Sequence, residues 1–166
     1  MSLSANISLS IVAKESNNGS LSKTSNSITK AFANGFIDGN AANQANKAFS
    51  DRRPLAASAS ETLDLAAGLT DAFGQSITFA SVKAMAFIAS ESNQANITIG
   101  GGSNAFASFM GSATDSLVLA PGGMIVLTAP DAGYAVTADT GDSIDVTNDD
   151  GVNTAEYDVV LIGVIA

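Results

Sequence analysis

The second half of the chain consists of short apolar runs separated by turn residues, and this pattern constrains the fold more than any other feature. Ile, Phe and Met alternate with small or polar residues in SITFASV, which begins at Ser76, and in KAMAFIAS, which begins at Lys83. Further runs are Ile97 to Ile99, Ala105 to Phe109, Leu117 to Leu119, Met124 to Leu127, Tyr134 to Val136, Ile144 to Val146 and Tyr157 to Val164. Helical periodicity is absent, so the pattern predicts an antiparallel sandwich or barrel.

Glycine, proline and acidic residues separate these runs at the points where strands should turn. They are Gly100 to Gly102, Pro121 to Gly123 and Asn148 to Gly151. Such residues favour turns because glycine adopts positive φ and Asn and Asp bond to their own backbone. We therefore expect an all-β protein whose body, residues 60–166, is a jelly-roll-like β-sandwich.

The first 59 residues are predicted to form a strand followed by an extended arm. Ser4 to Lys14 alternates in the manner of a half-buried strand. Glu15 to Gly35 is rich in Ser, Asn, Gly and Thr, which predicts a long loop. An Ala/Asn stretch before Ala48 could form one helical turn, and Ala48 to Leu55 is predicted to be a short strand, where Pro54 favours an edge position.

Composition narrows the classes of function. The chain has 166 residues, of which 46% are hydrophobic, and it contains no Cys, His or Trp. Thiol nucleophiles, His-assisted Ser triads, disulfides and thiolate metal sites are therefore excluded. No apolar window is long enough to span a membrane, and the first ten residues lack a secretory-signal pattern. We expect a soluble protein that is not an enzyme and has no cofactor or membrane partner.

Charge is distributed unevenly along the chain, whose net charge is −9. The seven bases and six of the acids precede Ala84, whereas ten acids and no base follow Lys83. The bases are Lys14, Lys23, Lys30, Lys47, Arg52, Arg53 and Lys83. The acidic part would repel phosphate, so we expect no nucleic-acid partner, and the near-neutral part could dock on an acidic surface.

Two motifs invite a ligand interpretation. The glycines at 100–102 lack the Lys and Ser or Thr of a phosphate-binding loop and lead into a β run, which favours a turn or bulge. The carboxylates of Asp139, Asp142, Asp145, Asp149 and Asp150 could bind Ca²⁺, but their spacing does not fit an EF-hand, and solvated loop charge is the competing interpretation.

Catalytic interpretations are also available for the ionisable residues. A carboxylate pair could hydrolyse glycosides, yet a chain with two Tyr and no Trp offers few platforms for stacking sugars. Lys83 could form a Schiff base if buried, or it could have a structural role, which we favour. Arg52 and Arg53, beside Asp51, could contact an acidic neighbour such as another copy, or could be surface residues without a partner.

The chain from Leu63 onward resembles small virion proteins of tailed double-stranded-DNA bacteriophages. The resemblance lies in DLAAGLTDAFGQSITFASVKAMAFIAS, ITIGGGSNAF, LVLAPGGMIVLTAPDAGYAVTADTGDSIDV and AEYDVVLIG, and upstream in FIDGNAANQANKAFSDRRPLAAS, about three quarters of the chain. The most telling positions are Asp64, Leu65, Phe73, Gly74, Lys83, Gly100 to Gly102, Pro121 to Gly123 and Tyr157 to Gly163. The segment at 15–30 departs from the pattern.

This resemblance implies a capsid decoration or cement protein on the phage head surface, made in the host cytoplasm. It further implies binding to the major capsid protein and self-association, which we expect to give a homotrimer. Residues 2–53 would supply much of the capsid contact through Lys14, Lys23, Lys30, Lys47, Arg52 and Arg53. The alternative is a tail or fibre component that binds a host-surface glycan.

Overall fold

The computed structural model describes residues 2–166, and every regular element within them is a β-strand. The strands are β1 (Ser4–Asn18), β2 (Lys23–Asp38), β3 (Gln44–Ala45), β4 (Lys47–Leu55), β5 (Ser60–Asp64), β6 (Leu69–Thr70), β7 (Ser76–Ile77), β8 (Phe79–Ala89), β9 (Ile97–Gly100), β10 (Ser116–Leu119), β11 (Met124–Thr128), β12 (Tyr134–Ala135), β13 (Ser143–Asn148) and β14 (Ala155–Ile165). The predicted all-β class is confirmed.

Two antiparallel sheets form the body as a β-sandwich. One has the order β10-β9-β13-β5 and the other β11-β8-β14-β4, with the short β12 also paired to β8. Alternate residues of both sheets point inward to a shared core, as Phe87, Tyr157, Leu161, Ile99 and Val146 illustrate. Burial of this alternating apolar face is the main stabilising contribution to the sandwich.

The predicted strand at Ala48 to Leu55 is confirmed as β4, which begins one residue earlier, and β4 is an edge strand, as Pro54 indicated. Strand β4 pairs with β14 over its whole length, from Leu55 opposite Ala155 to Lys47 opposite Gly163. An edge tolerates Pro54 because one side of the strand needs no hydrogen-bond donor.

The predicted loop over Glu15 to Gly35 is wrong. Strands β1 and β2 pair antiparallel in continuous register from Ser4 opposite Ile37 to Asn18 opposite Lys23. A four-residue loop, residues 19–22, joins them, and the Gly19 amide donates to the Ser22 carbonyl at 2.9 Å. Backbone ladder bonds form this ribbon, and they do not depend on apolar side chains, which is why composition alone indicated a loop.

Three smaller predictions are also wrong. The Ala/Asn stretch forms a turn with Asn43 at a φ of 57° and the short β3, not a helical turn. The two runs from Ser76 and Lys83 are largely one strand, β8, preceded by the two-residue β7. Ala105 to Phe109 contains only a single bridge, between Ala105 and Ser143. Phe106 and Phe109 nevertheless pack on the core, so the apolar run marks burial and not a strand.

Candidate assembly surface

The β1–β2 hairpin has one apolar face and one polar face. Residues paired directly across an antiparallel ribbon share a face, so the register decides which side chains lie together. The apolar face carries Ala5, Ile7, Leu9, Ile11 and Ala13 of β1 and Phe36, Phe32 and Ile28 of β2. The opposite face is mostly Ser, Thr, Ala and Asn, with Val12 and Ile37 as its large apolar residues.

Only the base of the hairpin packs on the body. Phe36 is 1% exposed and lies against Ala84 of β8 and Ile162 of β14, together with the half-buried Ala5 and Ile7. The Asn34 side-chain amide also donates to Thr128 Oγ1 of β11 at 2.8 Å. These contacts place the apolar face of the hairpin on the outer face of the β11-β8-β14-β4 sheet.

Every residue from 8 to 33 is exposed, including the continuation of the apolar face. Phe32 is 58% exposed and Ile11 49%. With a rise of about 3.4 Å per residue, the exposed part of the ribbon is roughly 35 Å long. A two-stranded ribbon is marginally stable alone in water, so an uncovered apolar face of this length indicates an interaction surface.

The outer face of the β11-β8-β14-β4 sheet is uncovered beyond the base of the hairpin. Its register aligns Met124 with Ile88, and Val126 with Ala86 and Val160. Met124 is 59% exposed, and Ile88 and Val126 are also exposed. Ala86 is half-buried, and Val160 already packs against the base of the hairpin. We call Met124, Ile88, Val126 and Ala86 the outer-sheet patch. A cleft of about 260 Å³ lies where the hairpin leaves the sheet, lined by Leu9, Phe32, Val126 and Thr128 among others.

The structure separates the six predicted contact bases into two groups. Lys14, Lys23 and Lys30 lie on the exposed hairpin and form no ion pair within residues 2–166. Lys14 and Lys23 are on the polar face, whereas Lys30 is paired with Ile11 on the apolar face. These three lysines are therefore free to meet an external acidic surface.

The other three bases bind acids of the body. Lys47 Nζ lies 2.8 Å from Asp71 Oδ2, a largely buried pair. Arg52 lies 2.7 Å from Asp158 Oδ1, and that hydrogen bond and charge raise the pKa of Arg52 above its ordinary value. Intramolecular pairing offsets these charges, so Lys47 and Arg52 are poor candidates for capsid contact.

Arg53 is part of a semi-buried polar network. Its guanidinium donates to Glu61 Oε2, and Glu61 Oε1 accepts from the Tyr157 hydroxyl at 2.9 Å. Arg53 Nε lies 3.1 Å from Asp51 Oδ2, but without the geometry of a hydrogen bond. Burial, followed by the nearby Glu61 carboxylate, raises the pKa of Tyr157 far above its usual range. This network joins β4, β5 and β14 and is structural.

The acidic residues of 139–150 bind neighbouring groups instead of converging. Asp142 Oδ2 accepts from the Asp139 amide at 2.7 Å, and Asp145 Oδ1 accepts from Thr62 Oγ1 at 2.6 Å. Asp150 accepts from the amides of Val152 and Asn153, and these bonds lower its pKa. Across residues 2–166 no group of three or more acidic, His or Cys side chains could hold a metal ion.

Gly100 to Gly102 and Lys83 have structural surroundings. The three glycines have φ values of 107°, 80° and 99° and form the bend that leaves β9. A side chain at Gly102 would collide with the Asp145 carboxylate. Lys83 is 2% exposed and donates to the carbonyl oxygens of Ala41 and Asp131.

The described part of the chain forms no helix long and apolar enough to cross a membrane.

The residues that the sequence interpretation missed are the apolar ones of β2, Ile28 and Phe32. They lie on one face with Leu9 and Ile11, which were predicted to lie on one side of a half-buried strand but are exposed, only because β2 pairs with β1 in this register. Alternation within ITKAFANGF, from Ile28 to Phe36, was the available signal, but the Ser/Asn-rich flanks obscured it.

Comparison with protein-family models, with curated proteins and with solved structures gives no match.

Proposed function

We propose that this chain is a non-enzymatic structural protein of a phage virion, a decoration or cement protein on the outer surface of the head. The observation that carries the proposal is the hairpin, which projects roughly 35 Å from a β-sandwich. It is exposed from residue 8 to residue 33. It also bears three lysines without acidic partners among residues 2–166. Such a projection adds a large contact surface but no enclosed site, which suits assembly better than chemistry.

The order of the strands supports a viral structural role in a second way. Eight strands form the two main sheets, and in chain order they are β4, β5, β8, β9, β10, β11, β13 and β14. Numbered from one to eight, they lie in the orders 1-8-3-6 and 2-7-4-5. Consecutive strands of this numbering lie in alternate sheets, except that β9 and β10 are neighbours in one sheet. We expect this alternation of a jelly roll. Jelly rolls are common in capsid proteins, although a fold does not by itself imply a function.

The charge distribution supports docking through the hairpin. Residues 8–33 carry three lysines and one acid, Glu15, whereas residues 39–166 carry four bases and fourteen acids. Lys14 and Lys23 lie on the polar face of the hairpin, which points away from the sheet because the apolar face packs on it. We therefore assign the capsid contact to Lys14 and Lys23, leave Lys30, on the apolar face, as a candidate for contact between subunits, and assign Lys47, Arg52 and Arg53 to the stability of the body.

The alternative, a tail or fibre component that binds a host-surface glycan, receives less support. Sugar binding usually relies on exposed aromatic rings gathered at one site, and Tyr157 is fully buried while Tyr134 is half-buried against Phe109. The exposed rings of Phe32 and Phe73 line two different clefts. The proposed homotrimer and the major capsid protein as partner rest on the resemblance to phage virion proteins.

Copy counting tests the location. Particles of the phage that encodes this chain would be purified, and the chain quantified by mass spectrometry against the major capsid protein. Hundreds of copies that separate with isolated heads would support decoration. A few copies that separate with tails would favour the fibre alternative, and absence from particles would contradict a virion role.

A binding experiment then tests the assigned lysines. Heads that lack the chain would be titrated with the purified protein and with the double variant Lys14→Glu/Lys23→Glu. Charge reversal should weaken binding at least tenfold, and added salt should weaken the unaltered protein as well. The matched control Lys14→Arg/Lys23→Arg keeps both charges and should bind normally. Equal binding by all three proteins would refute the assignment.

A further inference from the structure

The apolar face of the hairpin and the outer-sheet patch are two parts of one unfinished interface. At the base, Phe36, Ala5 and Ile7 cover Ala84 and Ile162 of the sheet. Beyond Leu9 and Phe32 the hairpin's apolar face continues without a partner, and beyond Thr128 the sheet's apolar face does so too. The exposed part of the hairpin is apolar like the part that packs on the sheet. The exposed part of the sheet is apolar like the part that the hairpin covers.

We propose that a second copy of this chain covers both surfaces. The distal hairpin of one copy, with Leu9, Ile11, Ile28 and Phe32, lies on the outer-sheet patch of the next. The proposal rests on the structural role proposed above and names the surface through which the copies associate. Continuity with the packing at the hairpin base is the main argument for this occupant.

Charge complementarity supports the same occupant. Lys30 lies within the apolar face of the hairpin, beside Ile11. Around Met124 and Ile88 the rim of the outer-sheet patch contains three acids, Glu91, Glu156 and Asp158, and one base, Arg52, which is paired with two of the acids, so the rim keeps a net negative charge. A hairpin laid on the patch of another copy would therefore bring Lys30 to acids while its apolar neighbours become buried.

The size of the contact is adequate only if it is repeated. A ribbon roughly 35 Å long and about 10 Å wide covers about 350 Å². Each contact therefore buries about 350 Å² on each partner, less than half of the roughly 800 Å² per partner of a stable interface, and a copy that gives one hairpin and receives another makes two such contacts. Contact between two different surfaces is heterologous and closes into a ring when the rotation permits, which agrees with the proposed homotrimer.

The first test measures molecular mass in solution by sedimentation velocity with the full chain. The unaltered protein should associate at micromolar concentration. The hairpin variant Ile11→Ser/Phe32→Ser and the patch variant Met124→Lys should each weaken association at least tenfold, and both alter exposed side chains, so folding should persist. The matched control Val12→Ser, on the polar face of the hairpin, should associate normally. A monomeric unaltered protein, or undiminished association of both variants, would overturn the proposal.

Mixing experiments test whether the contact joins hairpin to patch. The hairpin variant and the patch variant should associate with each other more strongly than either associates with itself, because only the mixed pair keeps one intact contact, between the hairpin of the patch variant and the patch of the hairpin variant. The chain has no Cys, so Ile11→Cys in one copy and Met124→Cys in another should form a disulfide only if the copies dock in this way. Crosslinking no faster than between Leu21→Cys and Met124→Cys would contradict the arrangement.

The outcomes separate this inference from the proposed function. A chain that stays monomeric in solution yet coats phage heads would overturn the inference and leave decoration intact, with the capsid as the occupant of the hairpin face. A chain that associates through these surfaces but is absent from virions would support the inference and refute decoration.

Discussion

The ammonium group of Lys83 donates a hydrogen bond of 2.6 Å to the carbonyl oxygen of Ala41, which lies in the turn that follows the hairpin. A second bond, of 2.8 Å, reaches the carbonyl oxygen of Asp131. One buried side chain of β8 thus joins the base of the hairpin to the loop after β11. The direction in which the hairpin leaves the body depends on this joint and on the nearby bond from the Asn43 amide to the Pro130 carbonyl.

We expect Lys83→Met to loosen the base of the hairpin. Both carbonyls would lose a charged donor in a partly buried site, at a cost of about 1 kcal/mol or more in the free energy of unfolding. Urea denaturation measures that loss, and hydrogen exchange should become faster at residues 39–45. Lys14→Met, at an exposed site on the hairpin, is the control and should change neither the free energy of unfolding nor the hydrogen exchange of residues 39–45. Unchanged exchange at residues 39–45 would contradict the role given to Lys83.

Gly163 should not tolerate a side chain. A Cβ there would collide with the backbone carbonyl oxygen of Ser81 and lie 3.0 Å from the Phe79 ring, at an irregularity in the pairing of β14 with β8. Gly163→Ala should therefore destabilise the protein by about 1–3 kcal/mol through overpacking. Gly35→Ala is the matched control, because a Cβ there meets only Asn6 Oδ1 at 3.9 Å. Thermal denaturation of both variants tests the difference, and equal stabilities would refute the close approach.

The adjacent arginines of β4 should differ in their contribution to stability. Arg53 is partly buried with Glu61, whereas the Arg52 side chain is 66% exposed. Arg53→Gln leaves the Glu61 carboxylate without its cation and should cost about 2 kcal/mol or more. Arg52→Gln removes a surface pair and should cost less than about 1 kcal/mol. Urea denaturation of the two variants measures both values, and the reverse order would show that the network around Tyr157 is not structural.

Acid should destabilise the fold through Asp71. The hydrogen bond from Lys47, followed by that from the Gln75 amide, lowers the pKa of Asp71 below its ordinary value of 3.8. A carboxyl whose pKa is lower in the folded state stabilises the fold above the unfolded value and loses that contribution as the pH falls through the folded value. The free energy of unfolding should thus decline below about pH 4.

Two variants test whether Asp71 causes this loss of stability in acid. Asp71→Asn removes the titrating group, and Lys47→Met removes the donor that lowers its pKa. Both should give a lower stability at neutral pH and a flatter dependence on pH below about 4 than the unaltered protein. Urea denaturation at a series of pH values measures the slopes. A slope that neither substitution changes would assign the response to other carboxylates, such as Asp158 or Asp150, whose pKa values are also lowered.

Local alternation and turn chemistry were enough to predict much of the body. The strands at Met124, Ile144 and Tyr157, and the edge strand with Pro54, follow from side chains that alternate between core and solvent. The same signal failed at Ala105 to Phe109, where Phe106 reaches the core from an irregular segment. Apolar residues report burial directly and strand geometry only indirectly.

Sequence alone determined the all-β class, the cysteine-free composition and the uneven charge, because each depends on residue types and local periodicity. Tertiary structure decided the rest. Cross-strand register turned a Ser/Asn-rich segment into a hairpin and placed Ile11 and Phe32 on its uncovered face. It also separated the three free lysines of the hairpin from Lys47, Arg52 and Arg53, whose acids are distant in sequence or lie on another strand. Such pairings arise only when the chain brings remote residues together, so no local pattern could have shown which bases are free.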